Sequence, residues 1–199
     1  MVDPNDERVA VDDRTSRVPP LARPWSDEDT TAIGQWGHPA ASYPPLLLTR
    51  TLQRHPQLAD RLRHLGEGLY VDGRLSHRDR TIAILRTCGQ VSCAYEWGGQ
   101  AAFWGPIAGV TGDECDALAV GPADDPRWSS GERAIVAAVD ELEATGTWTD
   151  TTWSALSDHL DDEQRMELLI VAGWYRTICT LCNALTLGIE DWMRPWPTP

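Results

Sequence analysis

The sequence predicts an all-α protein: one helical domain over residues 26–199, preceded by a flexible arm over residues 1–25. Three observations predict it. No segment sustains the alternation of apolar and polar residues that marks a half-buried strand. Apolar residues instead recur three and four apart, as in Leu58, Leu62 and Leu65, or Ile135, Val136, Val139 and Leu142. Ser, Thr or Asp opens these segments, with acidic residues in the next turn, where they satisfy free N–H groups and the positive end of a helix. The connections are short, which favours antiparallel neighbours.

Each element follows in order. Residues 1–25 are charged and Pro-rich, a composition that does not bury a core. "SDEDTTAIGQW" starts a helix with Ser26 as cap. "YPPLLLTRTLQRHP" is apolar and then polar at helical spacing, with prolines at its start and finish. "PQLADRLRHLGEGLY" repeats that pattern, and "VDGR" is a turn. In "LSHRDRTIAILRTCGQVSCAYEWGGQAAFWGPIAGV", Ser76 and Asp79 have capping spacing, and Ile82, Leu85 and Gly89 share a face. Gly98 and Gly99 weaken a helix but let another backbone or a ligand come close. Pro106 is near a helix end. "TGDECDALAVG" is capped by Thr111, "SSGERAIVAAVDELEATG" is amphipathic, and "TDTTWSALSDHL" is a shorter capped helix. "DDEQRMELLIVAGWYRTICTLCNALTLG" is long, apolar in its second half, and stops at Gly188.

Composition narrows the function. The formal net charge is −13, which excludes an unshielded nucleic-acid partner because phosphate binding needs a basic patch. All 17 basic residues are arginine, so no Schiff base on a lysine is available. The N-terminus lacks the apolar stretch of a signal peptide, and no run approaches the length of a membrane span. Five cysteines, an odd number without a disulfide-framework spacing, read as reduced thiols in a cytoplasmic protein. Ten tryptophans against one phenylalanine supply large flat surfaces, most of them for core packing and some for a pocket.

At "RDRTIAILRTCGQVSCAYEWGGQ" the chain resembles the carboxymuconolactone decarboxylase family, which includes the alkylhydroperoxidase D-like proteins. "AILR" at 83–86, "CAYEW" at 93–97, "AGVTGDE" at 108–114, "GPADDPRWSSGERAIVAAVDEL" at 121–142, "TWSAL" at 152–156 and "LLIVAGWYRTICTLCNALTLGIE" at 168–190 fall in family order. The resemblance spans residues from about 35 to 195. It implies an all-α fold, protomers assembled as trimers or hexamers, and pockets between core helices near a subunit contact. The family's peroxidase branch carries a Cys-x-x-Cys pair, a histidine four residues later and a glutamate twelve residues earlier. Here Cys93 matches the first cysteine, while Glu96, Gln100 and Thr81 stand at the other three positions. A second thiol is needed to resolve the oxidised first one, so peroxidase chemistry through this pair is set aside. The nearest histidine in sequence, His77, reads as a surface or cap residue.

The residues themselves offer an acid–base site. Glu96, with Cys93 beside it, lies in an apolar helical stretch, where desolvation raises a carboxyl toward a working general acid or base. Its structural alternative is a buried partner of Arg86 or Arg176. Gln100 lies one turn on, on the same face. Tyr95 and Tyr175 can each donate to a carbonyl or developing enolate, or be core residues. Arg176 can clamp a carboxylate. Trp97, Phe103 and Trp104, with Tyr95 and Trp174, can stack on a flat ligand or fill the core. Cys179 and Cys182 make a Cys-x-x-Cys in mid-helix, which reads as small core residues, and no paired motif completes a metal site. The expected function is thus a cofactor-free, metal-free acid–base enzyme (decarboxylase, isomerase or cyclase) on a small unsaturated or carbonyl-containing metabolite. The alternatives are a thiol oxidoreductase using Cys179 and Cys182, and a non-catalytic ligand-binding protein.

Overall fold

In a computed structural model that describes residues 16–198, the described residues form helices and no strands. The helices are α1 (Asp27–Gly34), α2 (Leu47–Leu52), α3 (Pro56–Val71), α4 (His77–Gln90), α5 (Ala94–Gly99), α6 (Gly105–Ile107), α7 (Gly112–Val120), α8 (Ser130–Thr145), α9 (Asp150–Ser157) and α10 (Asp162–Leu185). A π-helical turn, Gln100–Trp104, joins α5 to α6.

Helix starts follow the caps read from sequence. Ser26, Ser76, Thr111, Ser129, Thr149 and Asp161 each accept the backbone N–H of the third residue after them. At Thr111, Ser129 and Asp161 the reciprocal bond completes a capping box. Arg78 ties two of these boxes together by pairing with Glu114 and Glu132. The amphipathic segments bury the predicted faces: Ile135, Val136 and Val139 on α8 are within the core.

Helix α4 is the central strut. Ile82, Ala83, Ile84, Leu85 and Cys88 have no exposed surface, and α4 packs against α7, α8 and α10. A helix buried all round has apolar residues on every face, which explains the unbroken "IAIL". Its charged groups are paired. Arg80 donates to Glu167 of α10 and to the Leu75 carbonyl. Glu167 also accepts the N–H groups of Arg74 and Leu75. Gly73 is required here, because a Cβ would sit 2.1 Å from the Arg80 guanidinium and 2.4 Å from the Leu69 carbonyl oxygen.

Two expectations need revision. A run long and apolar enough to span a membrane does exist by length and composition, α10 itself. It serves as a core helix, burying Leu168, Val171, Ala172, Trp174, Tyr175, Ile178, Cys179 and Cys182. Of the expected arm over residues 1–25, residues 1–15 lie outside the described residues. Residues 16–25 are tied to the body: Arg17 N–H donates to the Leu185 carbonyl, Leu21 N–H donates to the Arg50 carbonyl, and Pro20 is buried. The arginine guanidinium of Arg50 lies 5.9 Å from the Trp25 ring.

Breaking a buried, hydrogen-bonded ion pair by removing one partner costs about 3–5 kcal/mol. Arg80→Met is therefore expected to lower the unfolding free energy by about that amount, measured as a shift of the urea-unfolding midpoint at unchanged slope.

Candidate functional site

The chain changes direction between α4 and α5. Ser92 takes a left-handed backbone (φ 50°), and the Cys93 N–H returns to the Cys88 carbonyl at 2.9 Å. Helix α5 then starts at Ala94 with Cys93 as its cap residue. Of the two glycines that follow, Gly98 is where another backbone comes close. Arg194 N–H donates to the Gly98 carbonyl, and a Cβ on Gly98 would lie 2.6 Å from the Arg194 carbonyl oxygen. Immediately afterwards the helix widens into the π-turn from Gln100 to Trp104. A π-turn adds a residue to one turn and re-aims the side chains around it, a device frequent at functional sites.

Glu96, Gln100 and Trp104 all line a cavity of about 500 Å³. Its other walls come from α3 (Tyr70), α10 (Trp174, Tyr175) and the loop between α1 and α2 (Trp36, His38, Tyr43). That size suits a small molecule. Tyr70 stacks on Trp104 with ring centroids 4.5 Å apart, and His38 packs edge-on against Phe103 and Trp104. His38 Nδ1 accepts the Ala40 N–H at 3.1 Å, which places the neutral ring's proton on Nε2.

The polar groups form one chain. Gln100 Nε2 donates to Glu96 Oε1 at 2.9 Å and approaches the Tyr175 hydroxyl at 3.5 Å. The Tyr175 and Tyr70 hydroxyls are 2.8 Å apart. The Tyr175 oxygen faces the Gln100 N–H, and when the Tyr175 proton bonds to Tyr70 the Tyr70 O–H is left to serve the cavity. Burial raises the Glu96 carboxyl to about 7; the Gln100 N–H opposes the rise and nearby Cys93 adds to it. Burial also pushes the Tyr70 and Tyr175 hydroxyls above their ordinary value, so both remain proton donors at neutral pH. Gln100 Oε1 is buried without a hydrogen-bond partner.

The structure thus brings together Glu96, Gln100, Tyr175, Trp104 and Trp174 from the residues singled out in sequence. It places the others elsewhere. Arg176 points away on α10, half exposed, and pairs with Glu143. Arg86 is buried against Asp140 and donates to the Leu118 and Gly121 carbonyls. Neither arginine therefore meets Glu96 or a cavity ligand. Trp97 is fully buried, its indole N–H donating to the Cys115 carbonyl. Tyr95 is a strut: its hydroxyl donates to Glu190 and accepts the Leu48 N–H. Phe103 supports His38, Tyr43 and Trp104 from behind, outside the cavity lining. Cys93 is buried behind Glu96 and does not line the cavity.

Tyr70, His38, Trp36 and Tyr43 escaped the sequence reading. Their signal was weak: Tyr70 ends an ordinary amphipathic helix, and the other three lie in a Gly- and Pro-containing loop far from Glu96 in sequence.

No protein-family model matches the chain, and no curated protein matches it in sequence. Solved structures match it closely in shape. An uncharacterised peroxidase-related protein from Silicibacter sp. TM1040 superposes with a TM-score of 0.76 at 13% identity, covering 89% of this chain and 92% of its own. An alkylhydroperoxidase AhpD-core, peroxidase-related protein from Ralstonia eutropha JMP134 gives 0.74 at 20% identity, over 89% and 93% of the two chains. The debrominase Bmp8 in complex with 2,3,4-tribromopyrrole gives 0.74 at 13%, again over 89% and 93%. At these identities the likeness is one of fold, and the fold is the alkylhydroperoxidase D-like one expected from sequence.

Two outcomes follow. Tyr95→Phe strands the Leu48 N–H and removes one of the two donors to Glu190 Oε1, so it is expected to cost about 1–3 kcal/mol of stability while ligand binding in the cavity is unchanged; denaturant unfolding and a binding titration separate the two. For Glu96, the folded-state pKa lies above the unfolded one, so between about 4.5 and about 7 the folded chain holds more protons than the unfolded chain. That contribution to stability is full below 4.5 and is lost as pH rises through 7. Unfolding free energies at pH 5 and pH 8 are expected to differ less in Glu96→Gln than in the wild type.

Proposed function

We propose that the protein is a cofactor-free acid–base enzyme acting on a small, flat, unsaturated or carbonyl-containing metabolite, with an isomerase or cyclase reaction ahead of decarboxylation. The observation that carries this reading is Glu96, a half-buried carboxyl on the wall of an aromatic cavity, held at a pKa of about 7. Proton transfer is most efficient when the acid–base group titrates near the working pH.

The arrangement supplies the parts of an enolisation. A flat substrate lies among Tyr43, Trp104 and Trp174, with its carbonyl oxygen toward the Tyr70 hydroxyl. Ionised Glu96 takes a proton from the carbon next to the carbonyl. The negative charge that develops on oxygen is met by the Tyr70 O–H, itself backed by Tyr175 and Gln100, and such chains strengthen one another in a low dielectric. Glu96 then returns the proton to another carbon. The cavity has one arginine, Arg63, whose guanidinium is held by Glu67 and Asp60. With Arg176 and Arg86 engaged elsewhere, a neutral substrate fits better than a carboxylate, which tilts the reading from decarboxylation toward isomerisation or ring closure. The Bmp8 complex supports a flat ring as the ligand shape, since that protein of the same fold is seen with a small halogenated pyrrole. A trimeric or hexameric cytoplasmic assembly, as the sequence resemblance implies, belongs to the same proposal.

Metabolite extracts incubated with wild type and with Glu96→Gln provide the test. Mass spectrometry is expected to show a product of unchanged mass and shifted retention with the wild type alone. Once the substrate is purified, Glu96→Gln is expected to lower kcat by about 10²–10⁴-fold. A product lighter by carbon dioxide would move the assignment to decarboxylase. Identical extracts from both proteins would leave a ligand-binding protein.

A further inference from the structure

Gln100 leaves one atom unaccounted for. The residue opens the π-turn, is 6% exposed, and lines the cavity. Its backbone carbonyl accepts the Gly105 N–H, so the turn itself fixes where the side chain starts. The amide has two N–H groups, and both are engaged. Nε2 donates to Glu96 Oε1 at 2.9 Å and faces the Tyr175 hydroxyl at 3.5 Å. Oε1, by contrast, is buried with no hydrogen-bond partner. A buried acceptor left without a donor is destabilising, and native structures hold few of them.

The amide cannot cure this by turning over. A half-turn would set Oε1 against the ionised Glu96 carboxylate, acceptor against acceptor. Nor does the neighbouring chain hold a spare proton for it. Ionised Glu96 has none, and the Tyr70 and Tyr175 hydroxyls are bonded to one another at 2.8 Å. Elsewhere on the cavity wall, the Thr49 hydroxyl donates to the Leu46 carbonyl, and the Arg63 guanidinium is held by Glu67 and Asp60. What remains to complete Oε1 is a molecule in the cavity. Specificity in such pockets rests on a few placed polar groups of this kind.

We infer that the cavity ligand brings a hydrogen-bond donor, an N–H or O–H, to Gln100 Oε1 while its carbonyl oxygen accepts from the Tyr70 hydroxyl. The inference rests on the cavity being the substrate site proposed above, and it narrows the substrate class. Cyclic amides and hydroxy-substituted ring carbonyl compounds fit. Lactones, esters and simple ketones do not, because they leave Oε1 unpaired or set a second lone pair against it. Gln100 and Tyr70 are joined through the Tyr175 hydroxyl, so the ligand's donor and acceptor belong close together. Glu96 and Tyr175 hold the amide N–H groups, so the oxygen is aimed before the ligand arrives. A site built around such a preset polar group discriminates strongly against an analogue that lacks the matching one.

Two flat rings of the same size make the test. 2-Pyridone carries a ring N–H beside its carbonyl, and 2-pyrone carries an oxygen in that place. Dissociation constants for the full-length protein are measured by ligand-observed NMR titration at pH 8, with Glu96 ionised. 2-Pyridone is expected to bind at least about tenfold more tightly than 2-pyrone. In Gln100→Met, checked for native helicity by circular dichroism, the two rings are expected to bind within about twofold of each other. In Tyr70→Phe both are expected to weaken alike, with the preference retained. Equal affinities in the wild type, tighter binding of 2-pyrone, a preference that survives Gln100→Met or vanishes in Tyr70→Phe, or failure of 2-pyridone to bind would each overturn the inference. These are equilibrium readings and do not depend on turnover. Extracts without a product would end the enzyme reading and leave this one standing, whereas turnover of a ring with no donor would end this one alone.

Discussion

The Arg80–Glu167 pair fixes the relation of α4 to α10, and much of the rest of the molecule is arranged around those two helices. Helix α4 is buried on most sides, and its run Ile82–Leu85 alone would not fix how the helix is rotated in an apolar sheath. A buried guanidinium that must meet one carboxylate and one carbonyl sets its register. Glu167 adds the Arg74 and Leu75 N–H groups, so the same carboxylate also fixes the turn that enters α4. Such pairs often add little net stability over an apolar replacement, while removal of one partner alone is costly. With α4 and α10 aligned, Tyr175 faces α5 and Cys179 of α10 faces Cys88 near the end of α4.

A second buried carboxylate does comparable work at the other end. Glu190 accepts the Tyr95 hydroxyl and the Leu47 N–H, joining the C-terminal segment, α5 and α2. Arg194 backbone then crosses at Gly98. Helix α5 is therefore held on its non-cavity side by Tyr95, Trp97 and Gly98, and its cavity side carries Glu96 and Gln100. One short helix thereby presents structural residues on one side and chemically useful residues on the other. Side chains at i and i+4 on a helix share a face, which is why Glu96 and Gln100 are found together and Tyr95 and Arg86 are not found with them.

The cavity and buried Cys93 are neighbours with Glu96 between them. On the cavity side the carboxyl faces rings and hydroxyls; on the other its charge is felt by Cys93. The site depends on desolvation, which lifts the Glu96 carboxyl and the Tyr70 and Tyr175 hydroxyls. Water admitted to this region would level those differences.

Sequence by itself determined the helical class, the capped helix starts, the burial of α8 and the pairing of Glu96 with Gln100, because all of these are set by spacing within a few residues. It also singled out Tyr175, Trp104 and Trp174. Only the tertiary structure decided the fates of Arg176, Arg86, Trp97 and Tyr95, since a long or aromatic side chain can satisfy itself in a core, at a surface or in a pocket with the same local pattern. It alone brought Tyr70 and His38 to the cavity and Cys88 to Cys179 of α10. Those contacts span dozens of residues along the chain, and no local periodicity records them. Which side chains share a cavity depends on how whole helices dock, and that is settled by buried pairs such as Arg80 with Glu167.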